Sequence, residues 1–457
     1  MSKKVDLLGG RIFSSLTRLA MPIMATAMVQ TAYSLTDMAW IGLLGAPAVA
    51  AVGAASMYVW LSQGVSALAK MGGQVKAAHA LGSGNRDEAA TYASGALQMG
   101  IVFALIYGGA AVMGSDPLIV FFGLTSPEIV HDAKVYLQIT CGLIIFSFLN
   151  TIFTGLFTAM GDSKTPFAAN VIGLVINIIL DPVLIFGYGP FPQLRVAGAA
   201  IATVLAQIVV TLVFLRAMKQ DEGLFDRVKI FQRVSWKHIL TMVQIGFPAA
   251  VQNLIYTSIS MVLTRFVAGF GDAAVAVQRV GSQVESISWC TADGFAAALN
   301  SFVGQNYGGG KYGRVKKGYT TAVAVMFVWG LFCTALLIGF AEEIFSLFIH
   351  EQEVIPLGVS YLVILGISQM FMCIELTTVG ALSGLGKTFL CSVISVIFTS
   401  ARIPLAMILS RTPLGLDGIW WAFTISSIIK GGLFFLSFQI VAGRLPKEER
   451  TAVQEGL

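Results

Sequence analysis

The stretch LAMPIMATAMVQTAYSLTDMAWIG, Leu19–Gly42, decides the fold class of this chain. It belongs to an apolar run that begins near Phe13 and is long enough to cross the roughly 30 Å hydrocarbon core of a bilayer. Asp37 is the only charged residue in the quoted stretch. A carboxylate near the centre of a membrane helix costs about 2.5–3.5 kcal/mol on insertion scales. Such a residue predicts a functional site.

The composition of the whole chain places it in the membrane. Of its 457 residues, 56% are hydrophobic and 12% are charged, and the mean hydropathy is +0.80. A soluble protein would carry about 25% charged residues. The five cysteines lie in apolar blocks and form no CxxC pair, which predicts neither disulfides nor a metal site. No catalytic constellation is visible, so we expect no enzyme, no cofactor and no nucleic-acid partner.

Apolar blocks of about 20 residues or more predict an all-α integral membrane fold with twelve spans. Their approximate limits are 14–42, 48–78, 90–114, 134–160, 165–187, 196–217, 240–269, 274–305, 318–340, 355–383, 388–410 and 416–442.

The distribution of basic residues predicts how these spans are oriented. If the N-terminus is inside, six of the 29 Lys and Arg residues fall on or toward the outer side. They are Lys134, Arg195, Arg265, Arg279, Arg402 and Arg411. Because loops rich in Lys and Arg stay in the cytoplasm, we expect both termini there and a location in the inner or plasma membrane.

The two halves of the chain are similar to each other. A shift of 226 residues places Pro22 on Pro248 and LGAPAVAAV (44–52) on FGDAAVAVQ (270–278). Six spans per half give both copies the same orientation, which is a parallel pseudo-two-fold repeat. We therefore predict an N-terminal lobe (1–217), a cytoplasmic linker (218–238), a C-terminal lobe (239–445) and a cytoplasmic tail (446–457). Two six-helix bundles of this kind are typical of an alternating-access carrier.

Polar residues on the first span form a stripe around Asp37. Thr26, Gln30, Tyr33 and Asp37 are spaced by 4, 3 and 4, so they share one helical face. Lipid cannot satisfy such a face, which must meet protein or water. The shift of 226 residues aligns Asp37 with Leu263, so the carboxylate occurs in the first half alone.

A second stripe lies on the fifth span. Asn170, Asn177 and Asp181 are spaced by 7 and 4, and Pro182 follows directly. We expect Pro182, like Pro22 in the first span, to kink its helix and free backbone carbonyls. Two carboxylates close together in a poorly hydrated pocket favour loading and release of a proton near neutral pH. The alternative is that both acids lie near the headgroups and only accept hydrogen bonds.

The second half carries acids of its own. They are Glu285 and Asp293 on the eighth span and Glu375 on the tenth. These residues either form a cation site or pair with Arg279, Arg402 or Lys430, and the sequence leaves both interpretations open.

Essentially the whole chain resembles the multidrug and toxic compound extrusion (MATE) family, in particular its DinF-like branch. The segments that carry the resemblance are LAMPIMATAMVQTAYSLTDMAWIG, LGSGNRDEA, TGLFTAMGDSKTP, VAGAAIAT and FVGQNYGGGKYGRV. The resemblance implies a bacterial or archaeal exporter of lipophilic cations, monomeric, that exchanges its cargo for protons. It also implies that Asp37 carries the coupling proton, with Asp181 beside it. The rest of the implied pocket is formed by Gln30, Tyr33, Asn150, Asn177, Tyr136 and Thr203.

Other functions remain as alternatives. Sodium replaces the proton in another branch of the family, but FPAAVQNLIYTSISMVLTRF, the seventh span, lacks the acid of that branch. A lipid-linked saccharide flippase of the same superfamily is expected to have a strongly cationic cavity. A membrane enzyme and a channel are two further classes, which assays of turnover and single-channel current would separate from a carrier.

Overall fold

The computed structural model describes residues 4–122, 126–188, 192–221, 223–230, 232–347 and 353–446. Within these ranges the chain forms sixteen α-helices and one 3-10 turn, Phe225–Arg227, with no β-strand. The helices of the first half are α1 (Ile12–Gly42), α2 (Ala46–Gly82), α3 (Arg86–Met113), α4 (Ser115–Val120), α5 (Pro127–Gly142), α6 (Ile145–Ala159), α7 (Lys164–Phe186) and α8 (Arg195–Lys219). Those of the second half are α9 (Trp236–Ala268), α10 (Asp272–Gly308), α11 (Tyr312–Gly339), α12 (Ala341–Ser346), α13 (Ile355–Gly384), α14 (Thr388–Ser400), α15 (Arg402–Leu409) and α16 (Leu416–Gly443).

Each of the twelve predicted spans corresponds to a helix or to a pair of helices. In the described part of the chain, ten segments are long and apolar enough to cross a membrane, and α5 with α6 forms an eleventh. The twelfth is α10, whose 37 residues reach roughly 55 Å. Polar residues such as Gln278 and Glu285 lower its hydropathy. The predicted all-α membrane fold is confirmed.

Two predicted spans are broken, and a proline explains one of the breaks. The fourth span begins at Pro127, earlier than predicted, and bends by 46° between α5 and α6. The eleventh breaks at Ala401, between α14 and α15. Pro404 has no amide hydrogen for the carbonyl of Ser400, so the helix loses a bond at this point. In the first half Pro182 lies inside α7, which continues past it without a break.

Contacts between residues divide the chain into two units. The first unit contains Lys4, Val5, Met21–Ala80 and Asn85–Ala250. The second contains Asp6–Ala20, Leu81–Gly84 and the described residues from Val251 onward. The lobes predicted at 1–217 and 239–445, with the linker 218–238, stay a prediction. The predicted tail, residues 446–457, lies outside the described residues except for Pro446.

Small residues bring the helices of the first unit close together. At Gly198 in α8, an added Cβ would lie 2.4 Å from the Leu184 carbonyl oxygen of α7, so only glycine permits this approach. A hydrophobic core of the unit is built from fully or nearly fully buried side chains that include Ala51, Ala55, Leu137, Cys141, Phe148 and Ala199.

The connection between α8 and α9 is held against the first unit. Asp221 accepts hydrogen bonds from the amides of Leu224 (2.8 Å) and Phe225 (3.1 Å) and forms an ion pair with Lys4. The Phe225 ring then packs on Phe157, with ring centroids 4.7 Å apart. This part of the predicted linker is therefore an ordered element of the fold.

The second unit has a similar construction. An added Cβ at Gly380 in α13 would lie 2.4 Å from the Ala296 carbonyl oxygen of α10, so these two helices also meet at a glycine. At one end of the unit, Arg314 donates hydrogen bonds to the carbonyls of Leu7 (3.1 Å) and Gly10 (2.9 Å). The N-terminal segment is thereby held by its backbone.

Candidate functional site

The first candidate site is built around the polar stripe of α1. Asp37 and Tyr33 are half-buried, one helical turn apart, and lie near the C-terminal end of the helix. Below them, Thr26 is buried and donates a 2.8 Å hydrogen bond to the carbonyl of Pro22. Gln30 belongs to the same stripe by spacing, but its side chain is exposed.

The second stripe lies on α7 and is completely buried at its acidic end. Asn177 and Asp181 both have an exposed fraction of 0%. The Asn177 amide donates a 3.1 Å hydrogen bond to Asp181 Oδ1, one helical turn away. Asn170, further along the stripe, donates instead to the carbonyl of Pro166 (2.8 Å) and so belongs to the backbone packing of α7.

These two stripes meet in one cluster. Asp181 interacts electrostatically with Asp37. Tyr136 of α5 interacts with both carboxylates, and Tyr33 does the same while its hydroxyl lies close to that of Thr203 in α8. The structure therefore brings together six of the predicted residues, which lie on four helices.

Several buried oxygen atoms of the cluster make no hydrogen bond within the described part of the chain. Five of its side chains carry a buried oxygen with no hydrogen-bond partner among the described residues: Tyr33, Asp37, Asn177, Asp181 and Thr203. Among the described residues, no Lys or Arg lies within 4 Å of either carboxylate. An unsatisfied buried polar group costs about 1–3 kcal/mol. Buried oxygens without partners can accept a proton or interact with a metal cation or an organic cation.

Asn150 does not share these contacts. Its amide nitrogen donates to Oε1 (2.8 Å) and to the backbone carbonyl (3.0 Å) of Gln207 in α8. Its amide oxygen lies 2.8 Å from the Thr211 hydroxyl. The side chain thus joins α6 to α8 in a separate network.

The second candidate site is a cavity of about 740 Å³ within the second unit. Its volume lies in the range of pockets for drug-sized ligands. The three acids predicted from the sequence line it, as do three basic residues. These charged residues are Arg279, Glu285, Asp293, Glu375, Arg402 and Lys430.

The structure answers part of the question that the sequence left open for these acids. Glu375 forms a 2.8 Å ion pair with Lys430, and both side chains are buried. Glu285 has no ion pair with a described residue; Gln369 donates a 3.4 Å hydrogen bond to its Oε2, and its Oε1 is unpartnered. Pairing is therefore observed for Glu375 and not for Glu285.

Sequence reasoning missed Gln207 and Thr211, the partners of Asn150, although a signal was present. With the predicted Thr203 they are spaced by 4 and 4, so the three residues form a third polar stripe on α8. Gln369, which contacts Glu285, has no comparable signal because its position on α13 shows only in three dimensions.

Known proteins are similar to this chain along most of its length. The family model MatE matches residues 22–183 and 248–408, once in each half. A Thermotoga maritima protein named "Probable multidrug resistance protein NorM" is 29% identical over 436 residues, which cover 93% of this chain and 92% of the relative. A Shewanella oneidensis protein named "FAD transporter" is 26% identical over 372 residues, 80% of each chain.

A solved structure shares the fold. The structure titled "Crystal structure of MATE in the bent conformation" superposes with a TM-score of 0.91 at 24% identity, covering 97% of this chain and 98% of that one. Because the family model matches both halves and more than half of all residues, this chain belongs to the MatE family of membrane transporters.

Proposed function

We propose that this transporter exports lipophilic cationic compounds in exchange for protons, and that Asp37 carries the coupling proton with Asp181 as its partner. The observation that carries the proposal is the pair of neighbouring carboxylates without a basic residue within 4 Å in the described part of the chain. The names of the relatives support drug export as the activity.

A shared acid explains how cargo and proton exclude each other. A charged Asp37 attracts a cation, whereas a proton on the same carboxylate removes the charge. Tyr33, Asn177, Tyr136 and Thr203 supply polar groups around the two acids. We expect the affinity for a cationic substrate to fall as the pH is lowered, because substrate and proton compete for one group.

The stoichiometry follows from the energy of the gradient. One pH unit is worth about 1.36 kcal/mol, and one charge moved through 100 mV is worth about 2.3 kcal/mol. Exchange of one proton for one monovalent cation moves no net charge, so it supports only about a tenfold gradient. Two protons per cation give about 5 kcal/mol, or several thousandfold. The two acids of the cluster suit the second case.

The experiment measures uptake of ethidium into liposomes that contain the purified protein. A proton gradient and a sodium gradient are imposed separately for the wild type, Asp37→Asn and Glu285→Gln. We expect proton-driven uptake in the wild type and in Glu285→Gln, and at least a tenfold loss in Asp37→Asn. Glu285→Gln is the matched control, because it neutralises a membrane carboxylate of the second unit.

Two results would replace the proposal. Uptake driven by sodium and not by protons would make sodium the coupling ion, since a cation could also interact with the five unpartnered oxygens. Proton-driven uptake that survives Asp37→Asn in a folded protein would move coupling to another acid. The lipid-linked saccharide flippase stays the second alternative, and failure of both gradients to drive ethidium uptake would favour it. The DinF-like branch, the cytoplasmic termini and the monomeric state are part of the proposal.

A further inference from the structure

Arg402 is a buried cation whose charge is not neutralised by a close acid. Its exposed fraction is 5%, and it lies in a segment, Thr388–Leu409, that is long and apolar enough to cross the membrane. Its guanidinium donates hydrogen bonds to the hydroxyls of Ser426 and Ser427, both at 3.1 Å, and lies 5.0 Å from the centre of the Phe423 ring. Among the residues that the structure describes, none offers Arg402 a carboxylate within 4 Å.

Lys430 provides an internal comparison. It lines the same cavity and is buried to the same degree, yet it forms a 2.8 Å ion pair with Glu375. A buried charge in a membrane protein is expected to have such a partner, because desolvation costs several kcal/mol per ion. Two neutral hydroxyls and an aromatic ring are weak substitutes. The contrast marks Arg402 as the group with capacity for one more anion.

The guanidinium also has donors to spare. Arginine presents five N–H groups in a planar fork that matches the two oxygens of a carboxylate or a phosphate. Two of its nitrogens are engaged by the serines. Because Arg402 lines the 740 Å³ cavity, a ligand of drug size fits beside it.

The remaining lining tells what kind of molecule would carry that anion. Tyr256, Trp289 and Phe423 line the cavity and offer aromatic faces to a planar ligand. Glu285 is a competing charge, since it interacts electrostatically with Arg402 without forming an ion pair within 4 Å. The Glu285 carboxylate competes with an anionic ligand for the guanidinium, and it also repels that ligand.

We propose that the cavity of the second unit binds an aromatic organic anion, with Arg402 as the residue that holds its carboxylate, sulfonate or phosphate group. The site lies in the second unit, whereas the carboxylate cluster lies in the first, and its anchoring group is a cation and not an acid. It does not rest on the proton-coupled export of cations.

The test measures binding by calorimetry to the full-length protein in phosphatidylcholine nanodiscs, with empty nanodiscs subtracted. The probes are 2-naphthoate, neutral 2-naphthylmethanol and cationic 2-naphthylmethylammonium. We expect 2-naphthoate to bind best and to bind at least tenfold more weakly to Arg402→Gln. Arg402→Lys keeps the charge without the fork and should give an intermediate loss. Glu285→Gln removes the repulsion and should tighten binding severalfold.

Arg411→Gln is the matched control, since it makes the same substitution on an exposed residue outside the cavity. Unchanged binding of 2-naphthylmethanol to Arg402→Gln shows that the cavity is intact. The proposal is overturned if Arg402→Gln binds 2-naphthoate like Arg411→Gln, or if the cationic probe binds best. Loss of ethidium transport in Asp37→Asn is a separate measurement, so the two proposals fail independently.

The source of the oxyanion is decided in a second arm. The titration is repeated in nanodiscs that contain phosphatidylglycerol. Weaker 2-naphthoate binding there, in the wild type and not in Arg402→Gln, would support the oxyanion site and assign it to a lipid headgroup. Equal binding in both nanodiscs would support a soluble anion as the ligand.

Discussion

Asn150 shows how a polar residue of a membrane helix is used for packing between helices. Its amide nitrogen contacts Gln207 and its amide oxygen lies 2.8 Å from the hydroxyl of Thr211. All of its hydrogen-bonding capacity seen here is directed to α8. The resemblance to the transporter family implies a place in the cation pocket for Asn150. In the structure its side chain forms hydrogen bonds that join α6 to α8.

We predict that Asn150 and Thr211 are coupled in stability. In a double-mutant cycle with Asn150→Ala and Thr211→Val, the interaction free energy should be about 0.6 kcal/mol and at most about 1.7 kcal/mol, the mean and the maximum of such measurements on hydrogen bonds between membrane helices. The free energy of unfolding is measured by titrating the purified protein from mild detergent into SDS. Thr211→Val should leave ethidium transport intact. A coupling near zero would show that the contact does not stabilise the fold.

The residues of the carboxylate cluster were predictable to the extent that helical spacing reveals them. Asp37 and Asp181 each stand out as an acid in an apolar span, and each lies on a polar stripe. Which stripes face each other is a tertiary property. For this reason the sequence did not separate Asn150 from the cluster, nor did it show that Lys430 pairs with Glu375 while Arg402 lacks a close acid.

At the scale of elements, the connection after α8 is held by one carboxylate. Asp221 binds the amides of Leu224 and Phe225 and the ammonium of Lys4, and its side chain is 7% exposed. Burial raises the pKa of Asp221, but these hydrogen bonds outweigh that effect and hold the pKa below the usual range of aspartate. The charged carboxylate is therefore more favourable in the folded state than in the unfolded state.

We predict that Asp221→Asn lowers the free energy of unfolding by about 1–2 kcal/mol at pH 7, because a charged acceptor becomes a neutral one. The contribution of a group with a lowered pKa is complete at neutral pH. It declines as the pH falls below about 3.9, where the unfolded state takes up the proton first. Thermal unfolding is measured between pH 7 and pH 3. The difference in the free energy of unfolding between the wild type and Asp221→Asn should become smaller at the acidic end of this range. A difference in the free energy of unfolding that does not change with pH would show that the charge of Asp221 is not its cause.

Lys4→Met is the matched control for this element. It removes one of the contacts to Asp221 and leaves the backbone amides in place. Because Lys4 is 40% exposed, its ion pair is screened by solvent, and its loss should cost less than about 1 kcal/mol. An effect as large as that of Asp221→Asn would make the ion pair, and not the amides, the main contact.

The existence of the helices followed from the sequence, but their breaks did not. A block of apolar residues gives the number of spans because lipid requires about 20 of them in a row. Hydropathy measures how apolar a segment is and contains no information on the direction of the helix axis. The 46° bend between α5 and α6 could therefore not be predicted from it. The break at Ala401 had a signal in Pro404, whereas Pro182 lies within the continuous α7. A proline alone does not say whether a helix bends or breaks.

At the scale of the whole molecule, the distribution of Lys and Arg predicts how the transporter lies in its membrane. Both halves place basic residues at or near the turn after their second span: Arg86 begins α3 after LGSGN, and Lys316 and Lys317 lie near the start of α11 after YGGGK. An even number of spans per half puts these two turns on the same side. The positive-inside rule then assigns that side to the cytoplasm.

We predict that a cysteine at Arg86 or at Lys316 is protected from an impermeant maleimide in intact bacteria and is labelled after the membrane is permeabilised. A cysteine at His131, in the opposite turn region at the start of α5, should be labelled in intact cells. All three side chains are exposed, so access to reagent depends on the side of the membrane and not on packing. The five natural cysteines are buried or half-buried, and the wild type measures their background. Labelling of Arg86→Cys and His131→Cys from the same side would contradict the orientation. Opposite accessibility of Arg86→Cys and Lys316→Cys would contradict the parallel arrangement of the halves, since only an odd number of spans between them produces it.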